Sequence, residues 1–233
     1  MMSRFTARSD QQEIMDDLTC SGEDVRQALH ELDFINAWLG GNAVTLKGVS
    51  QLAAVVPPES KITVADLGCG SGDIADRVRR LLESKGLRPE VTGIDANANI
   101  VDIAKQKHPD VHFDVLDIFS NEFARMRFDV ITATLFFHHF DSETLAAFIR
   151  QLLGQVRIGI VINDIHRHWF SFHSIRVLTQ VFSRSAMVRH DAPVSVLRAF
   201  SRRDLEEVLH AAGVRRYTIR WRWAFRWLVI VYA

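Results

Sequence analysis

Lys61-Ile62-Thr63-Val64-Ala65-Asp66-Leu67-Gly68-Cys69-Gly70-Ser71-Gly72-Asp73 decides how the rest of the chain is read. Its first seven residues hold four apolar and three β-branched side chains, the marks of a buried strand. Three alternating glycines then interrupt it before an amphipathic run begins at Ile74, so the order is strand, tight turn, helix. Glycine lets backbone approach a ligand with no Cβ between them, and the first amides of the following helix face the same space. The spacing G-x-G-x-G, with Asp66 two residues ahead of the first glycine, differs from the G-x-G-x-x-G of dinucleotide-binding turns.

Downstream of this turn, strand and helix patterns alternate. Ile74, Val78, Leu81 and Leu82 form one helical face that ends at Gly86, and Val91-Thr92-Gly93-Ile94-Asp95 is a short strand closing on an acid. A carboxylate at that place can accept both hydroxyls of a ribose, which makes Asp95 and the adjoining Ala96 ligand candidates. A helix from about Ala98 to Lys107 precedes a third strand, Val111 to Asp117; there the Asp117 carboxylate can accept from an adenine amino group while the Ile118 amide donates to a ring nitrogen. Phe128 to Leu135, almost wholly apolar, is a central strand covered on both faces. It runs into Phe136-Phe137-His138-His139-Phe140, and Asp141 caps a helix ending at Gly154. Arg157 to Asp164 is the fifth strand. Repeated β-α units imply a parallel sheet with its site at the carboxyl edge, where every candidate above falls.

The flanks are different. A helix from Val25 to Leu39 and a second from Val44 to Val56, stopped by Pro57-Pro58, precede the first strand; they serve either as scaffold or as a lid over the site. At the other end, Ser201-Arg202-Arg203-Asp204 is a capping box. After its helix, Tyr217 to Trp227 alternates aromatic and mostly Arg residues, and Leu228 to Tyr232 follows as a second apolar run. With no helix between them, these runs either pair antiparallel or form one bent strand, and the alternation reads as a strand with one face buried and one solvated.

Bulk properties suit a single soluble α/β enzyme. The 233 residues carry 28 basic and 28 acidic groups, a formal net charge of zero that argues against duplex nucleic acid as partner. Two cysteines, Cys20 and Cys69, make no disulfide framework, and no apolar run has the length of a membrane span; a cytoplasmic protein without integral membrane association is expected. No metal is expected, and the oligomeric state is expected to be monomer or homodimer.

From Lys61 to Asp164 the chain resembles the class I S-adenosylmethionine-dependent methyltransferases, in the group that includes quinone-biosynthesis C-methyltransferases and small-molecule O-methyltransferases. Val64 to Gly72 matches the first motif, Gly93-Ile94-Asp95 the ribose-binding acid, Leu116-Asp117-Ile118 the adenine-side pair, and Phe128 to Phe140 the motif after strand four. The resemblance implies a Rossmann-like doubly wound sheet of seven mostly parallel strands with the last antiparallel, and S-adenosylmethionine as cofactor. It further implies that Asp66 and the Gly68–Cys69–Gly70 backbone hold the methionine moiety, with the Thr134 carbonyl on the sulfonium side. The expected organisation is an N-terminal helical cap over residues 1–58 and a methyltransferase domain over 59–233, with an acceptor-side helical insert at about 166–200.

Methyl displacement needs the acceptor, methyl and sulfur in line, and an acceptor with a phenol or enol proton needs a base. His139 and His138 rank first for that role, then Asp164 and His166, because all fall at or just past the ends of strands four and five. Packing and capping are the competing roles for each. The apolar insert, with Trp169, Phe170 and Phe172, points to a lipophilic or aromatic small-molecule acceptor, phenol, quinol or polyketide-like. A non-catalytic cofactor-binding module and a nicotinamide-dependent oxidoreductase are the alternatives.

Overall fold

The computed structural model describes residues 2–233. The strands are β1 (Lys61–Leu67), β2 (Arg88–Asp95), β3 (His112–Val115), β4 (Phe128–Thr134), β5 (Val156–Ile165), β6 (Tyr217–Arg222) and β7 (Arg226–Tyr232). They form one sheet in the order β3-β2-β1-β4-β5-β7-β6, in which the β5–β7 and β7–β6 pairs are antiparallel and the other pairs parallel. The glycine turn therefore leaves the middle of the sheet, between β2 and β4. Side chains alternate across it with period two. Ala65 and Leu67 of β1, with Val229 and Val231 of β7, enter the core on one face; Ile62 and Val64, with Leu228 and Ile230, enter the core on the other.

The helices are α1 (Glu23–Trp38), α2 (Gly41–Ala53), α3 (Asp73–Ser84), α4 (Ala98–Lys107), α5 (Asn121–Arg125), α6 (Ser142–Leu153), α7 (Trp169–Phe182), α8 (Ala186–Arg198) and α9 (Arg202–Ala211). α2, α3 and α4 cover one face of the sheet, and α5, α6 and α9 the other. α2 lies tight on β5 and β7: a Cβ at Gly48 would stand 2.4 Å from Val161 Cγ1. α7 and α8 lie between β5 and α9, and α8 packs against α1 and a 3-10 turn at Ile14–Asp16.

Local chemistry sets the element ends, and some differ from the sequence reading. β3 stops at Val115 instead of running to Asp117, because the Leu116 amide turns back to the Asp95 carbonyl at 3.0 Å and Asp117 Oδ1 accepts the Phe119 amide at 2.9 Å. β2 begins at Arg88 instead of Val91, since the Lys61 pairing extends it. α2 begins at Gly41, and the short α5, capped by Ser120, carries too few residues to show a period. The terminal pair is an antiparallel hairpin turning at residues 223–225. Its alternation does not simply put Trp in and Arg out, for Trp221 is exposed while Arg226 is buried.

Candidate active site

One cavity of about 1120 Å³ opens at the carboxyl edge of the sheet. Asp66, Gly68, Cys69, Gly70, Asp95, Ala96, Asp117, Ile118 and Thr134 all line it, and so do His138 and His139. The parallel register explains the convergence: Leu67 pairs with Ile94 and Ala133, so the chain leaves β1, β2 and β4 at one level. Gly68 must be glycine. Its φ is +62°, and a Cβ there would lie 2.2 Å from Phe136 Cδ2.

Asp95 accepts the Gly70 amide at 3.2 Å through Oδ2 and the Asn97 amide at 3.0 Å through Oδ1. A carboxylate offers about four acceptor positions, so each oxygen keeps one for a ribose hydroxyl. Asp66 accepts the Thr132 hydroxyl at 2.6 Å, and burial pushes its carboxyl up to about 7. An acid desolvated this way and without a cationic partner suits the amino group of a methionine moiety. Among the described residues no group accepts from the Ile118 amide, which leaves it for an adenine nitrogen. These residues fit S-adenosylmethionine. Thr134 is held from behind, its hydroxyl 2.8 Å from that of Thr45.

α1 closes one side of the cavity with Leu29, Leu32, Asp33, Ile35 and Asn36, continued by Leu39 at its C-cap. Asp33 ties the helix to the glycine turn, accepting the Ser71 hydroxyl at 2.7 Å and pairing with Lys107 of α4 at 2.6 Å.

The histidines occupy different settings. Leu135 takes a left-handed φ of +54°, rare for a branched side chain, and the chain bends there into a 3-10 turn at Phe137–His139. His138 is almost wholly buried at the cavity wall, with Nδ1 2.8 Å from Asp164 Oδ1 and Nε2 3.4 Å from Glu13 Oε1. Burial opposes its charge, but Asp164 and then Glu13 outweigh it and raise its pKa to about 9. Asp164 is wholly buried, and His138 holds its carboxyl below the usual range against the cost of burial. His139 is partly open to the cavity, and its Nδ1 lies 2.5 Å from Asp16 Oδ1. His166 and Asp164 do not line the cavity. His166 packs on Trp227 and accepts the Trp221 indole N–H at 3.3 Å, and burial depresses its pKa to about 4.

Sequence reasoning missed the residues that surround this pair. Glu13 and Asp16 come from an acidic N-terminal stretch with no periodicity, Arg198 from the end of α8, and Arg8 from further upstream. Arg198 bonds Asp16 and the carbonyls of His138 and His139, while Arg8 Nη2 donates to the carbonyls of His138 and Phe140 at 3.0 and 2.7 Å. Among the described residues, Glu13, His138 and His139 bring potential metal-ligand atoms within 4.8 Å of one another. Asp164 and Asp16 already take an Nδ1 each, and the Arg198 guanidinium stands 3.9 Å from Glu13, so a cation there would meet a resident positive charge.

Residues 64–159 match the family model described as "Methyltransferase domain". Over 97 residues the chain is 36% identical to the demethylmenaquinone methyltransferase of Thermotoga maritima, a match covering 42% of this chain and 39% of that relative. The chain thus spans about two fifths of the length of that curated relative. Among solved structures, the plantazolicin methyltransferase BpumL with a triazolic desmethylPZN analog and SAH aligns with a TM-score of 0.62 at 20% identity, covering 83% of this chain and 72% of that one. The CurJ carbon methyltransferase aligns with a TM-score of 0.59 at 18% identity, covering 83% and 54%. The family match over residues 64–159, the glycine-turn motif and the strand order agree with one another on a methyltransferase-like fold.

Proposed function

We propose that the protein transfers a methyl group from S-adenosylmethionine to the oxygen or carbon of a small aromatic or lipophilic acceptor. The observation that carries this reading is a single cavity lined by the glycine turn, Asp95, Asp117 and the His138–His139 pair. Its volume of about 1120 Å³ leaves room for an acceptor beside the cofactor. Methyltransferases acting on menaquinone precursors and plantazolicin, to which the chain is similar, agree with a small-molecule acceptor.

When bound, S-adenosylmethionine supplies the electrophilic methyl. Asp95 takes the ribose hydroxyls, Asp117 and the Ile118 amide the adenine, and Asp66 with the Gly68–Gly70 backbone the methionine end. Thr134, which also lines the cavity, would face the sulfonium side. Phe136, Phe140, Ile175 and Leu178 supply apolar walls that keep the acceptor dry. His139 is the base: with Nδ1–H given to Asp16, its Nε2 keeps the lone pair that accepts the acceptor's proton. Asp16 is thus a positioning residue. His138, buried between Asp164 and Glu13, fixes the loop that presents His139.

Calorimetry with S-adenosylhomocysteine tests the cofactor assignment. Asp95→Ala removes two charge-assisted acceptors and is expected to weaken binding on the order of 100-fold. No binding to the intact protein would sink the proposal. Turnover with labelled methyl donor and a panel of phenols and quinols tests the chemistry, and tight cofactor binding without turnover would turn the reading towards a binding module.

A further inference from the structure

Arg226 opens β7, and its guanidinium is enclosed by protein, the residue being only 5% exposed. Nη2 donates to Asn36 Oδ1 at 2.7 Å. It also lies against the α1–α2 corner, where a Cβ on Gly41 would come within 3.2 Å of it. Nη1 is buried and makes no hydrogen bond. The other two arginines enclosed to this degree have acids of their own: Arg167 pairs with Asp204 at 2.8 Å, and Arg198 with Asp16. The acid whose field reaches Arg226 is Asp164, and that carboxylate is committed to His138. Burial, only partly offset by Asp164, draws the guanidinium's pKa down to about 10, so it stays charged at neutral pH. A buried cation with an idle donor calls for an anion, because desolvation is otherwise uncompensated.

Arg226 lines the cavity, and its strand places it within the cavity. It pairs with Ile165 at the carboxyl end of β5, next to β4, which bears Thr134. Neighbouring strands lie ~4.8 Å apart, so Arg226 stands roughly two spacings from β4 and three from β1. The cofactor residues Asp66, Asp95 and Asp117 lie on the β1, β2 and β3 side. Trp223 and Phe225, in the turn just before Arg226, also line the cavity, as does Phe170, whose ring lies 5.8 Å from that of Phe225.

We propose that Arg226 is the anion receptor of the acceptor end of the cavity, and that the methyl acceptor carries a carboxylate held among apolar walls. The word acceptor rests on the methyl-transfer reading; the receptor itself does not. Arg offers a planar fork that pairs with a carboxylate through two parallel N–H donors; here Nη1, buried and without a hydrogen-bond partner, is the donor a carboxylate would satisfy, while Nη2 is shared with Asn36.

The test uses the full chain, with and without S-adenosylhomocysteine, and a panel of aromatic and fatty carboxylates each matched to its primary amide. Thermal shift and competition calorimetry should show carboxylates binding the wild type about tenfold or more tighter than their amides. Arg226→Gln should abolish that preference, and Arg226→Lys should keep part of it. Affinity for S-adenosylhomocysteine should stay within about twofold in both variants. Equal responses to carboxylates and amides, including no response to either, overturn the proposal, and this arm needs only the wild type should Arg226→Gln fail to fold. So does a loss of S-adenosylhomocysteine binding in Arg226→Gln with methylthioadenosine binding intact, which would give Arg226 to the cofactor's own carboxylate. Failure of S-adenosylhomocysteine to bind the wild type would instead refute the methyl-transfer reading and leave the receptor to be judged by the carboxylate and amide arms.

Discussion

Asp66 and His139 are the residues on which the chemistry turns most sharply. Burial holds the Asp66 carboxyl near 7, so in the free protein it exchanges its proton across neutral pH. A ligand amino group placed on it favours the ionised form and expels that proton. Binding of S-adenosylhomocysteine should therefore tighten about tenfold between pH 6 and 8, with proton release visible as a buffer-dependent calorimetric enthalpy. Asp66→Asn should flatten this dependence. For His139, replacement by Ala should lower turnover by about 10²–10⁴-fold while cofactor affinity changes little. Asp16→Asn should give a smaller loss with the same unchanged affinity. If both variants turn over normally, His139 is not the base.

At the scale of elements, the bend after β4 and the end of β5 are joined by a buried ion pair. Asp164 accepts from the His138 ring and from the His138 backbone amide, so one carboxylate positions a whole turn. Removing one partner of such a pair strands the other charge in the interior. Asp164→Ala should destabilise the protein by about 3–5 kcal/mol in urea unfolding, whereas replacing both residues by apolar ones of similar volume should recover much of it. A surface role for Asp164 would show no such asymmetry. The N-terminal segment belongs to the same assembly, since Asp191 of α8 takes the amides of Ile14 and Met15 at 2.8 and 3.1 Å. The strand-turn-helix at Gly68–Gly72 was legible because glycine spacing is local. The clasp of Glu13, Asp16, Arg8 and Arg198 was not, because its N-terminal members lie more than a hundred residues from Arg198 and from the histidines they hold, and no period links them.

For the whole molecule, these shifts set the course of stability with pH. His138 is raised from 6.5 to about 9 by its acids, so its contribution, about 3 kcal/mol, is complete below pH 6.5 and is lost as pH rises through 9. Asp66 acts in the same direction over a lower window: its raised pKa favours the protonated folded form, and that advantage fades between about pH 4 and 7. Glu13, Asp16 and Asp164 are depressed, so their contribution fails on the acid side, below the ordinary carboxylate range. Thermal unfolding followed across pH should show greatest stability near about pH 4–5 and a decline towards 9 whose upper part His138→Phe flattens. Saturating S-adenosylhomocysteine should raise the midpoint by mass action.

The sequence by itself determined the class of the fold and the cofactor edge. Strand periodicity, glycines and strand-end acids are each set by neighbours within a few residues, and a parallel sheet then has only one edge on which to gather them. Only the tertiary structure decided which histidine is buried and which is open. It also set Asp16 behind His139 and enclosed Arg226, which the alternating strand pattern had counted among solvated arginines. Burial and partner choice are properties of the packed whole, where residues distant in the chain exclude water from one another, and no local pattern carries them.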